Sequence, residues 1–158
     1  MAAQLTSLLF SNGSAGFAPV VLRVIAGLTF ALHGAQKLFA WFGGYGLEGT
    51  GQWMASIGLE PGYLMALLAG SAEFFGGLFL IAGLLTRPAA IVTAFTMVVA
   101  IFAVHFENGF FMASNGYEFG LALFGMSVSL LMSGAGRLAL DNVIVAGVSK
   151  ASPELANA

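Results

Sequence analysis

The chain has 158 residues, of which 59% are hydrophobic and 8% charged, and its formal net charge is −2. A soluble domain carries about 25% charged residues, so this chain lacks the polar surface to dissolve and reads as a one-domain integral membrane protein. Five thinly spread basic residues leave no footprint for nucleic acid, and the absence of cysteine excludes disulfides, thiolate metal ligands, iron–sulfur ligation and dithiol chemistry within the chain.

Residues 1–18 are uncharged and rich in small and polar residues. With no basic n-region they read as a retained lead-in and not as a signal peptide. Four apolar segments follow, over about Pro19–Phe42, Gly62–Leu85, Pro88–Phe106 and Gly116–Ser133. Each has roughly the 17–25 residues of a spanning helix, and none alternates as a barrel strand does. The expected fold is all-α: a bundle of four transmembrane helices over residues 19–142, with a tail over 143–158.

The connections refine this picture. The first is Gly-rich (GGYGLEGTG) and then offers Trp53, Met54 and Ile57 before Glu60-Pro61, which predicts a short segment at the membrane interface. The second, Thr86-Arg87-Pro88, is a tight turn in which Thr86 is expected to cap the third helix and Pro88 to fit its first turn. It makes the second and third helices antiparallel neighbours. The third connection, ENGFFMASN, places Phe110 and Phe111 at the interface or over the bundle. In the tail, LDNVIVAGV reads as a brief amphipathic piece. Arg23, Arg87, Arg137 and Lys150 share the side of both termini, which the positive-inside rule assigns to the cytoplasm.

Glu73 stands near the middle of the second segment, where a lone carboxylate costs several kcal/mol unless paired, protonated or hydrated. Counted from the outer helix ends at 1.5 Å per residue, Glu73 lies roughly 18 Å deep, His33 about 14 Å, Lys37 and Glu118 about 6–8 Å, and His105 near the surface. Arg23 falls at the inner boundary. Arg23, Ala26, Phe30, His33 and Lys37 form one stripe on the first helix, and Ala66, Ala69, Gly70, Glu73 and Gly77 share a face of the second. On the fourth, Glu118, Ala122, Gly125 and Ser129 make a similar small and polar face. Three inward faces predict a polar pocket that opens outward, with Glu73 at its floor.

Such a pocket has more than one use. Glu73 and His33 can exchange protons beside a small molecule, or can clasp two helices by hydrogen bonding. Arg23 can snorkel to headgroups or pair with the floor of the site. His105, Glu107 and Glu118 can hold a metal or form a hydrogen-bonded rim; the spacing of His105 and Glu107 favours the rim.

The string LRVIAGLTFALHGAQKLFAWFGG resembles the first helix of the DoxX family of small bacterial membrane proteins. AEFFGG, GLLTRPAA, VHFENGFF and NGYEFGL match further along, in order, over about residues 18–142. The resemblance implies a four-helix membrane bundle whose recurrent polar set here is Arg23, His33, Lys37, Glu73, His105 and Glu118. It also implies a multi-pass protein of the bacterial cytoplasmic (inner) membrane. Family members are linked to quinone-reducing thiosulfate oxidation, quinol oxidase complexes and oxidative-stress assemblies. The family is similar in architecture to four-helix quinone reductases that use cysteine pairs, and that thiol mechanism does not carry over to a chain without cysteine.

The expected function is therefore a redox-associated membrane subunit that binds a quinone-like or small amphipathic ligand. In it Glu73 and His33 handle protons, and Arg23, Lys37, His105 and Glu118 bind the ligand. No haem, flavin or iron–sulfur motif is evident, so electrons come from a redox partner or a small reductant. The alternative is a non-catalytic scaffold, assembly factor or small-solute permease. Its small-residue faces would also suit a homo-oligomer.

Overall fold

The computed structural model describes residues 16–151; most of the expected lead-in, residues 1–15, and residues 152–158 of the tail lie outside them. Regular structure among the described residues is entirely helical. α1 spans Ala18–Phe39, α2 Gly46–Ser56, α3 Gly62–Ala82, α4 Thr86–Ala100, α5 Glu118–Ser133 and α6 Leu140–Ala151. α4 runs on through a wide π-turn at Ile101–His105 and a 3₁₀ turn at Phe106–Asn108. α1, α3 and extended α4 are long and apolar enough to cross a membrane. α5 has 16 residues, or about 24 Å, against a hydrocarbon layer of roughly 30 Å. The short segment expected in the first loop is α2.

α1 and α3 form the tightest pair, because glycine lines their seam. A methyl group at Gly34 would run into the backbone of Phe74, and one at Gly27 would sit 2.6 Å from the Gly77 carbonyl oxygen. Small residues allow this approach, which in lipid is a main source of helix association. The antiparallel register that results leaves the first turns of α3 beyond the end of α1. α2 covers them, with Gly51 against Tyr63 and Gly62 against Ala55.

The other pair is α4 and α5, joined by the buried hydrogen bond between Thr93 Oγ1 and Ser127 Oγ (3.1 Å). α5 buries Gly120, Leu123, Ser127 and Leu130. The expected inward stripe Ala122, Gly125, Ser129 is instead exposed. Small residues fall on both faces of this helix, so spacing alone did not distinguish them; Ser127, with a hydroxyl partner across the seam, decides the face.

The pairs meet at the end of the bundle that holds the α3–α4 turn, here the turn end. There Ala26, Phe30, Leu80, Ala89, Ala90 and Leu130 make the core. α3 stops in a Schellman motif: Gly83 is left-handed (φ 63°), its N–H bonds Leu80 O at 3.1 Å, and the N–H of Leu84 bonds Phe79 O at 2.9 Å. Helix termini carry unpaired groups and partial charges, and two buried side chains answer them. Arg23 donates to the carbonyls of Leu80 (3.4 Å) and Ile81 (3.5 Å) at the end of α3, and to Arg137 O (3.0 Å) and Leu138 O (3.1 Å). Asp141, at the start of α6, accepts from Leu85 N (2.7 Å) and Thr86 N (3.0 Å) at the start of α4. The cap of α4 is thus Asp141 and not Thr86, which is already the first helical residue and whose buried hydroxyl has no partner.

Candidate functional site

At the opposite end, here the loop end, two cavities open. The larger, a chamber of about 800 Å³, lies between α1, α3, α4 and α5 and is lined mostly by apolar side chains. The smaller, a vestibule of about 710 Å³, is walled by the end of α1, the loop after it and one face of α2. His33, Lys37, Trp53 and Asn115 line both.

Glu73 is buried in the chamber wall, and its Oε2 accepts from Lys37 Nζ at 2.6 Å. This is an ion pair between side chains of two different helices. Two effects bring the partners together. The α1–α3 register sets Lys37 level with Ser71, about 3 Å from the level of Glu73. Side chains also lean toward the N-terminus of their helix, so in an antiparallel pair Lys37 and Glu73 lean toward each other. The expected difference in depth was larger because it counted from each helix end, and α3 begins well beyond the end of α1.

His33, one turn from Lys37 on α1, opens onto both cavities and meets the ring of Phe119 at 6.2 Å between centroids. His105 closes the π-turn and lines the chamber; its Nδ1 is 2.8 Å from the carbonyl of Asn115. A carbonyl only accepts, so Nδ1 carries the proton, and Nε2 of the neutral ring is an acceptor. Asn115 presents that carbonyl from a left-handed conformation (φ 60°) that Asn tolerates well.

The structure therefore brings His33, Lys37, Glu73 and His105 to one chamber. It does not bring Glu118 or Arg23 there. Glu118 lines neither cavity; its Oε1 accepts from Met112 N at 2.7 Å and organises the 109–118 loop. Arg23 neither snorkels nor pairs with the site, because the carbonyls of the turn end occupy it. Among the described residues no three of His, Asp and Glu are grouped to hold a metal ion. Two contributors were missed in the sequence: Trp53 was read only as an interfacial residue, and Asn115 only as part of a loop. The Asn115-Gly116 dipeptide was the available sign of a turn there.

A mostly apolar chamber with a few polar groups in its wall suits an amphipathic small molecule, and its volume lies within the range of small-molecule sites. The DoxX family model matches residues 18–106. A Bacillus subtilis protein named "Putative oxidoreductase CatD" is 35% identical over 86% of this chain and 93% of its own length. An uncharacterized Haemophilus influenzae protein is 35% identical over 77% of the chain and 86% of its own length. The Escherichia coli inner membrane protein YqjF is 30% identical over 79% of the chain and 90% of its own length. No solved structure matches.

Proposed function

Because the chain belongs to the DoxX family of membrane proteins, we propose that it is a redox-associated protein of the bacterial inner membrane whose chamber takes a quinone-like amphipathic molecule. The inner membrane location is supported by relatives named as inner membrane proteins, and the redox role by the relative named an oxidoreductase. The observation that carries the reading is the Lys37–Glu73 ion pair in the wall of a mostly apolar chamber, with Glu73 buried and His33 beside it. Quinone reduction takes up protons and electrons. Lys37 would hold the polar head, and Glu73 and His33 would pass protons to it, with His105 Nε2 as a further acceptor. Electrons would come from a partner protein or a small reductant. In this reading residues 19–142 form one domain with four crossings; α5, the shortest, is completed by the loop before it. Both termini face the cytoplasm.

The test is quinone binding and turnover by wild type and Glu73→Gln in lipid nanodiscs. The expected result is about a tenfold loss in the variant with the fold retained, the scale of one charge-assisted hydrogen bond. Unchanged binding and turnover would remove Glu73 from the site. A scaffold is the second reading, favoured by the fact that Glu73 already has a partner in Lys37. It predicts that Glu73→Gln lowers thermal stability and nothing else.

A further inference from the structure

The two cavities differ in what closes them. The vestibule is walled by Gln36, Gly43, Gly44, Tyr45 and Gly49, residues of the loop end. The chamber is walled on one side by Leu68, Ile91, Val92 and Phe95, and these same side chains are exposed on the outside of the bundle, Phe95 by 67%. A side chain that faces both a cavity and the exterior marks an opening, and this one lies between α3 and α4. Its shape follows from the fold. The two helices touch where Gly76 lies against Thr93, and on the loop side of that contact side chains of both helices line the chamber. Counted from that contact, their antiparallel register puts Ala69 level with Ala100, and both of these small residues line the chamber. At that level the exterior of a membrane-spanning bundle is hydrocarbon.

Resting on the function proposed above, we infer that the ligand enters the chamber sideways from the bilayer, between α3 and α4, and is a single-chain amphiphile whose tail stays in that gap. Water and protons reach Lys37 by the separate vestibule. The head meets Lys37, Glu73 and His33, and the tail lies along Leu68, Val92 and Phe95. The arrangement gives a lipid-soluble substrate and the aqueous phase different doors onto one ion pair. Lys37 and His33 stand where the two cavities meet.

The natural absence of cysteine makes the test direct. Ala69→Cys places a thiol in the chamber, and Gln36→Cys places one in the vestibule. In nanodiscs each is reacted with an alkyl maleimide confined to the bilayer and with a sulfonated, water-confined one. Ala69→Cys is expected to prefer the alkyl reagent by at least about tenfold, and Gln36→Cys the sulfonated one, since each added methylene strongly favours the apolar phase. Val99→Trp, at a chamber-lining and outward-exposed position one residue from the level of Ala69, narrows the gap from outside and is expected to slow alkyl labelling of Ala69→Cys by about tenfold and leave Gln36→Cys unchanged. If Ala69→Cys prefers the sulfonated reagent, or if Val99→Trp has no effect, the lateral route is wrong. Protection of Ala69→Cys is then compared for a long-tailed quinone and a tail-less one. Protection by neither, with the labelling pattern intact, rejects the quinone and keeps the route.

Discussion

Arg23 and Asp141 at the turn end are buried as deeply as Glu73 at the loop end, yet they are bonded differently. Arg23 and Asp141 bond main-chain groups: four carbonyls for the one and two N–H groups for the other. They complement the end of α3 and the start of α4, where helix dipoles call for a cation and an anion respectively. Lys37 and Glu73 bond each other, across two helices, on the wall of a cavity. A charge held by backbone cannot move without unmaking the fold. A charge held by another side chain can exchange its partner for a ligand. The contrast separates framework from site more sharply than burial does, since Arg23 is 1% exposed and Glu73 4%.

The largest effect belongs to the turn end. Asp141→Ala leaves the N–H groups of Leu85 and Thr86 buried without acceptors, and each such group costs about 1–3 kcal/mol. The variant is expected to lose about 3 kcal/mol or more of stability, read as a large fall in melting temperature in detergent. Arg23→Ala is expected to behave alike, since it strips the carbonyls at the end of α3 of their donor. A variant at either position that melts like wild type would break the comparison at its firm end.

The Lys37–Glu73 pair comes next. Lys37→Met alone leaves a carboxylate buried without its partner, whereas Lys37→Met combined with Glu73→Gln leaves no charge there at all. The double variant is expected to be more stable than Lys37→Met, with a coupling of about 1–3 kcal/mol in a double-mutant cycle. Neither single variant should approach the loss at Asp141, because Lys37 is 24% exposed and the chamber lets the site relax. A cost at Lys37 equal to that at Asp141 would make the pair framework and favour the scaffold reading.

Much of this was legible in the chain. The apolar runs gave the helices to within a few residues, the tight turn gave the antiparallel α3–α4 pair, and the stripe on α1 ran from Arg23 to Lys37 as expected. Glu73 could be placed inside by the small residues around it. What could not be read depends on how elements slide past one another. The register of α1 against α3 sets whether Lys37 reaches Glu73, and only the packing of Gly27, Gly34 and Gly77 fixes it. Asp141 is 55 residues from the Thr86 N–H that it caps, a separation at which no local capping pattern operates. Arg23 and Glu118 have the right residue type for a site, but their bonds go to backbone, which composition and spacing do not reveal.

The smallest effect tests that last distinction. Glu118 sits at the loop end near the chamber but organises the loop, through its bond to Met112 N. Gln keeps a side-chain carbonyl that can accept the same bond, so Glu118→Gln should change stability by less than about 0.5 kcal/mol, while Glu118→Ala should cost about 1 kcal/mol. Neither should change the affinity for a quinone that Glu73→Gln weakens. The pairing of Gln and Ala separates two roles that a single variant confuses: a ligand-binding carboxylate is sensitive to loss of charge, and a loop-capping one is sensitive only to loss of its acceptor. A quinone affinity that falls equally with Glu118→Gln and Glu73→Gln would return Glu118 to the site, and would mean that the loop moves inward when the chamber is filled.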